Sequence, residues 1–209
     1  MRIIENCIPK DYQEEIYKEF TSHDFGWYFD PATVYTKADK TIKDHFTNKI
    51  CITPQTQDSP QFTHTFYWYG DVVSKYMYLM QPMFFHLQEH GINAKLLKRI
   101  KANHMTREHD YPKDFYNVAH IDAPPEELPS NGKVKTLLYY VNDSDGDTFI
   151  FNEKLNSKTD LSPDNLTLHS RVTPKAGTGI LFDSYHYHAS SPPVNSKRRM
   201  VINFIFETE

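Results

Sequence analysis

The chain has 209 residues, a formal net charge of −4 and two cysteines. That length suits one moderately large domain, the charge gives no electrostatic case for wrapping a nucleic acid, and two cysteines do not make a disulfide framework. No apolar run approaches a bilayer span, and Met1-Arg2-Ile3-Ile4-Glu5 lacks the apolar stretch of a secretory signal, so a reducing, cytoplasmic setting without membrane contact is the expectation.

Fourteen Tyr and fourteen Phe promise an aromatic core. Residues 9–20 read as a first helix, with Tyr12, Ile16 and Phe20 spaced by four on one side. Trp27-Tyr28-Phe29 reads as a short strand or an aromatic anchor. Residues 31–60 are polar and irregular, in the manner of a lid or of a packed loop, and Phe66-Tyr67-Trp68-Tyr69 suits core packing or a substrate wall. Val72, Tyr76, Leu79, Met83 and Leu87 then mark a second helix, ended by Gly91 and kinked or divided by Pro82.

Past Gly91 the pattern changes to strands, expected over 96–105, 115–121, 134–141, 148–152, 166–172, 180–182 and 200–206. Turns such as Asn131-Gly132 and Asp143-Ser144-Asp145-Gly146 separate them. Many short strands after two helices predict a mainly β fold with N-terminal helices, a jelly roll of the cupin-like, double-stranded β-helix kind. The expected organisation is one domain over 1–209, with 1–91 as helical and loop support and 92–209 as the jelly-roll core.

The chemistry gathers at His120-Ile121-Asp122. In an extended backbone, residues two apart face the same side, so one imidazole nitrogen and one carboxylate oxygen can meet at a point. A second imidazole, from Tyr185-His186-Tyr187-His188, would complete a facial set of two nitrogens and one oxygen that leaves open positions on a metal. His186 and His188 share parity, so alternation leaves both open. Arg198 and Arg199 open the last apolar strand, and either can face inward with an apolar set of neighbours. No Gly-x-Ser-x-Gly elbow, phosphate-binding loop or Cys-x-x-Cys pair competes.

The ordered series formed by His120-Ile121-Asp122, residues 136–142, residues 145–151, residues 175–182, His188-Ala189-Ser190-Ser191-Pro192 and Arg199 resembles the Fe(II)- and 2-oxoglutarate-dependent oxygenases, specifically their prolyl 4-hydroxylase-like branch. The resemblance covers roughly the C-terminal half. It implies that His120, Asp122 and His188 hold Fe(II), the His-to-Pro192 spacing favouring His188 over His186. It also implies that Arg199, helped by Tyr140, holds the distal carboxylate of 2-oxoglutarate, with dioxygen as the second co-substrate. Asp145-Gly146-Asp147 departs from the two glycines and acidic residue common in that family. The activity so implied is a dioxygenase that couples decarboxylation of 2-oxoglutarate to hydroxylation of a C–H bond in a peptide, a protein or a small molecule, prolyl or peptidyl substrates first. A cupin-like metal enzyme working without 2-oxoglutarate, a nucleic-acid demethylase and a metal-stabilised binding domain are the alternatives, separated by succinate production, by salt-sensitive binding to methylated nucleic acid and by partner binding without iron.

Overall fold

In chain order, residues 1–34, 49–128 and 133–209, those described by the computed structural model, form β1 (Arg2–Ile4), α1 (Lys10–Phe20), β2 (Tyr28–Asp30), β3 (Ile50–Cys51), β4 (Gln61–Trp68), β5 (Asp71–Val72), α2 (Gln81–Glu89) and β6 (Ala94–Thr106). They continue through β7 (Ala119–His120), β8 (Val134–Tyr140), β9 (Thr148–Lys154), β10 (Leu168–Val172), β11 (Gly179–Asp183), β12 (His186–Ser190) and β13 (Arg198–Thr208). The middle of the polar stretch in which a lid or packed loop was expected, and the Asn131-Gly132 turn, lie outside the described residues.

Two antiparallel sheets face each other. The larger runs β1-β11-β8-β13-β6-β4-β2, with β5 beside β4, and the smaller runs β10-β9-β12-β7-β3. This is the double-stranded β-helix expected from the alternation of short apolar strands and polar turns. Late strands return beside early ones, which lets β12 pair with β7 across more than sixty residues of chain.

The helices cover the outer face of the larger sheet. Ile16 and Phe20 of α1 and Met83 and Leu87 of α2 pack with Leu137 and Tyr139 of β8 and with Met200, Ile202, Phe204 and Phe206 of β13. The second helical region is divided, as Pro82 requires. A short 3-10 turn over Lys75–Leu79, capped by the Ser74 hydroxyl, comes first, and α2 then starts with Pro82 in its first turn, where a missing N–H costs nothing.

Three expectations are revised. The support region is not only helix and loop, since β1, β2, β4 and β5 all come from residues 1–91 and join the larger sheet. In β4 the side chains facing the interior are Gln61, Thr63 and Thr65, and polar residues at alternate positions hide a buried strand. The strand expected over 115–121 shrinks to Ala119–His120, because the preceding residues turn aside: Tyr116 donates its N–H to the Gln55 carbonyl and Asn117 donates its own to Ser190. Val72 belongs to β5 rather than to a helix.

Candidate metal centre

His120 and His188 sit directly opposite each other on β7 and β12, the one register that points both rings to the same side of the small sheet. Their ring centroids are 4.5 Å apart. Asp122 follows two residues after His120, and one ligand atom from each of the three lies within 4.8 Å of the others. Each imidazole is held by its far nitrogen: His120 Nδ1 lies 3.1 Å from the Val118 carbonyl and His188 Nδ1 lies 3.1 Å from the His186 carbonyl. A carbonyl can only accept, so both Nδ1 atoms carry the proton and both Nε2 atoms face the centre. That donor set fits a divalent transition metal with open positions. His186 is turned away, its Nδ1 against the Phe151 carbonyl at 3.1 Å.

Asp122 is held from three sides. Arg99 donates to Oδ1 at 2.8 Å, while Thr136 and Asn203 donate to Oδ2 at 2.9 and 3.0 Å. Oδ2 also lies 3.3 Å from His188 Nε2. Burial by itself would raise the Asp122 carboxyl, but the His188 ring and the Arg99 guanidinium outweigh it and hold it well below the ordinary carboxylate range. Burial, reinforced by the neighbouring His188, lowers His120 to about 3, so its ring is neutral and able to ligate near neutral pH.

On β13 the inward side carries Arg199, Val201 and Asn203, and the helix side carries Met200, Ile202 and Phe204. Arg199 is 2 % exposed. Its Nε donates to the Gly146 carbonyl at 2.9 Å and its Nη2 to the Thr148 hydroxyl at 2.8 Å, and the Tyr140 hydroxyl donates to that same Thr148 oxygen at 2.9 Å. No carboxylate pairs with this guanidinium among the described residues. Burial pulls Arg199 below its ordinary value and pushes the Tyr140 phenol up to about 12. A buried cation framed by a phenol and a hydroxyl is the chemistry that receives a carboxylate. Arg198 is only half-buried and lies on the other side.

The departure at residues 145–147 has a local cause. Asp145 accepts N–H bonds from Asn195 and Ser196 at 2.7 and 2.9 Å, which ties this turn to the one before β13. A Cβ at Gly146 would stand 2.6 Å from the Ser191 carbonyl oxygen, so only glycine fits between that turn and the end of β12. Asp147 takes Arg171 and the Thr173 hydroxyl.

A cleft of about 250 Å³ opens beside the triad and is lined by His120 and Asp122 together with residues of β2, β4, β6 and β13. Sequence alternation sets Thr136 on the side of Tyr140, facing a partly polar cavity, but did not identify Arg99 or Thr148 as partners of the site. Arg99 lies in the series Arg99, Lys101, Asn103, whose polar parity between Ile100 and Ala102 is the one signal that pointed to it.

Known proteins resemble this chain in fold along nearly its whole length and, over residues 106–207, in a family pattern. No curated protein matches the chain in sequence. Among solved structures, the α-ketoglutarate-dependent epimerase SnoN of nogalamycin biosynthesis superposes with a TM-score of 0.53 at 10 % identity, over 98 % of this chain and 77 % of SnoN. The SnoN complex with Fe3+, α-ketoglutarate and nogalamycin RO gives 0.51 at 11 %, with the same coverage. A prolyl-4-hydroxylase of Pseudomonas putida gives 0.47 at 14 %, over 100 % of this chain and 92 % of that one. At such identities the feature shared with SnoN is the fold. Residues 106–207, which contain the whole His120, Asp122 and His188 cluster, match the 2OG-Fe(II) oxygenase superfamily, and with that match and this donor set the protein is an oxidoreductase of the dioxygenase kind whose cofactors are iron and 2-oxoglutarate.

Proposed function

We propose that this protein hydroxylates a C–H bond of a peptide, a protein or a small molecule, with residues 1–209 acting as one oxygenase domain. His120, Asp122 and His188 hold Fe(II), and Arg199 with Tyr140 holds the distal carboxylate of 2-oxoglutarate. The observation that supports this most is the pairing of a convergent triad with a fully buried guanidinium that has no carboxylate partner among the described residues.

When bound, Fe(II) with 2-oxoglutarate and dioxygen supplies the oxidation, in which one oxygen atom enters succinate as CO₂ leaves and the other enters the substrate C–H bond. The chain's own residues do the positioning. The Val118 and His186 carbonyls fix both imidazole tautomers, and Thr136, Asn203 and Arg99 fix the plane of the Asp122 carboxylate. Thr148 draws the Arg199 and Tyr140 head groups to one spot, so that a carboxylate arriving there meets donors already in place.

The test is anaerobic reconstitution with Fe(II) and 2-oxoglutarate, then admission of oxygen and mass analysis. Succinate formed with iron present, and a product heavier by one oxygen atom when a substrate is supplied, is the expected result. Saturable metal binding with no succinate would overturn this reading in favour of a metal enzyme that does not use 2-oxoglutarate.

A further inference from the structure

The cleft beside the triad has an unusual wall for the inside of a barrel. Thr63, Thr65, Arg99, Lys101, Asn103 and Asn203 all face it from three adjacent strands, where a closed β core would place apolar groups. The pairing register sets them in rows: Thr63 lies opposite Asn103, and Thr65 opposite Lys101, which in turn lies opposite Asn203.

Two of these groups are incomplete. Asn203 is 5 % exposed, and its amide orientation is fixed, because Asp122 can only accept and so must face the Nδ2 side. Its Oδ1 therefore points away from Asp122, and it is buried with no hydrogen-bond partner among the described residues. On the neighbouring strand the half-buried Asn103 also has a buried Oδ1 with no hydrogen-bond partner among the described residues. Buried carbonyl oxygens without donors are rare, and two of them lining one cleft beside a metal triad call for donors from a ligand.

The rest of the wall narrows the ligand's chemistry. Cationic Arg99 and Lys101 are balanced in charge by Asp30 and Asp122 around the same cleft, so neither an anion nor a cation is selected. The threonine hydroxyls and asparagine amides offer donors and acceptors side by side. A hydroxyl group satisfies both, whereas an N–H satisfies only acceptors. Trp68 and Tyr69 add aromatic surface, and Tyr69 is held there at a φ of +42°, an uncommon conformation for a bulky residue, by its N–H bond to the Lys98 carbonyl at 2.7 Å. The cleft volume, about 250 Å³, falls below the roughly 300–1,000 Å³ of sites for drug-sized molecules.

Resting on the oxygenase reading above, we propose that the substrate is a hydroxyl-rich ring, a sugar or the sugar unit of a larger molecule, and that Asn103 and Asn203 accept hydrogen bonds from two of its hydroxyls. Asn203 then has two duties: its nitrogen holds Asp122, and its oxygen places the substrate beside the metal. An apolar substrate would leave both oxygens buried and unmatched, each costing about tenfold in affinity.

The experiment uses the full chain loaded with Zn(II), which is redox-inert, and 2-oxoglutarate. Calorimetry compares methyl β-glucopyranoside, methyl β-galactopyranoside and methyl β-xylopyranoside with N-acetyl-prolinamide and with indole. At least one glycoside binds saturably, and Asn103→Leu weakens it about tenfold or more while Zn(II) affinity holds. Asn103→Ser, which keeps a hydroxyl at the wall, recovers part of the loss, and Asn203→Ala weakens glycoside and metal together. Failure of every glycoside to bind, or glycoside binding indifferent to Asn103→Leu, overturns the assignment, as does a preference for N-acetyl-prolinamide or indole. The oxygenase reading fails differently, through absence of Zn(II) or 2-oxoglutarate binding in the unsubstituted chain.

Discussion

β13 carries two different environments on its two faces. Met200, Ile202, Phe204 and Phe206 pack under the helices, all at or near zero exposure, while Arg199 and Asn203 point the other way and are 2 % and 5 % exposed. Both faces are therefore buried, yet one is filled by apolar contact and the other by groups that wait for partners. The first lowers the energy of the fold through area removed from water. The second costs energy, since a buried guanidinium and an unpaired amide oxygen lose water without full compensation. A strand built this way holds a site because its other face fixes it.

That division predicts opposite phenotypes for substitutions on the site side and on the helix side. Asp122→Ala removes a ligand and should lower metal affinity by more than the roughly 10–100-fold typical of outer partners, measured by titration with Fe(II) or Co(II) under argon. Phe204→Ala, on the helix side against Phe84, should cost about 3–5 kcal/mol in denaturant unfolding and leave metal affinity in the remaining folded protein unchanged. Equal metal affinity in Asp122→Ala and the unsubstituted chain would dissolve the distinction. Within the inward face, Arg199→Met should raise the 2-oxoglutarate dissociation constant by about 10–100-fold, and Arg198→Ala should change it less than twofold. The reverse order would put the wrong arginine in the site.

How much of this was visible beforehand depended on what alternation can encode. The helix face of β13 was legible, because Met200, Ile202 and Phe204 repeat every second residue and apolar parity has one meaning. His120 and Asp122 were legible as a same-side pair for the same geometric reason. The polar series Gln61, Thr63, Thr65 and Arg99, Lys101, Asn103 was not, because alternation cannot tell a solvent face from a cleft face. Thr136 was legible only as a residue sharing the parity of Tyr140, and Thr148 not at all, for a different reason. A threonine in a strand is ordinary, and its importance here comes from hydrogen bonds to Arg199 and Asp122 that form only when distant strands pair. The two-residue β7 was overestimated because apolar character at Val118 and Ile121 continued past the point where backbone bonds to Gln55 and Ser190 redirect the chain.

Smaller effects test the supporting shell. Thr136→Val keeps the shape of the side chain but removes the donor to Asp122 Oδ2 and the bond with Ser184 at 2.9 Å. Metal affinity should fall about tenfold, and Thr136→Ser should recover most of it. An unchanged affinity would mean that Asn203 and Arg99 alone orient the carboxylate.

A further effect lies outside the metal centre, in the pH dependence set by His104 on β6. This ring packs edge-on with Trp27 at 5.1 Å and near Phe62, and burial, with Arg198 adding to it, lowers it to about 4 from an ordinary value of 6.5. Between those two values the unfolded chain binds the proton more readily than the folded one, so stability rises with pH through that window and falls as pH drops from 6.5 toward 4. His104→Gln removes the titration. Compared with the unsubstituted chain, both in chelator so that the share from His120 cancels, its unfolding free energy should lose about 1–3 kcal/mol of acid sensitivity over that range. Parallel stability curves for the two proteins would show that the His104 ring is protonated as easily folded as unfolded, and that the aromatic edge around Trp27 stays open to water.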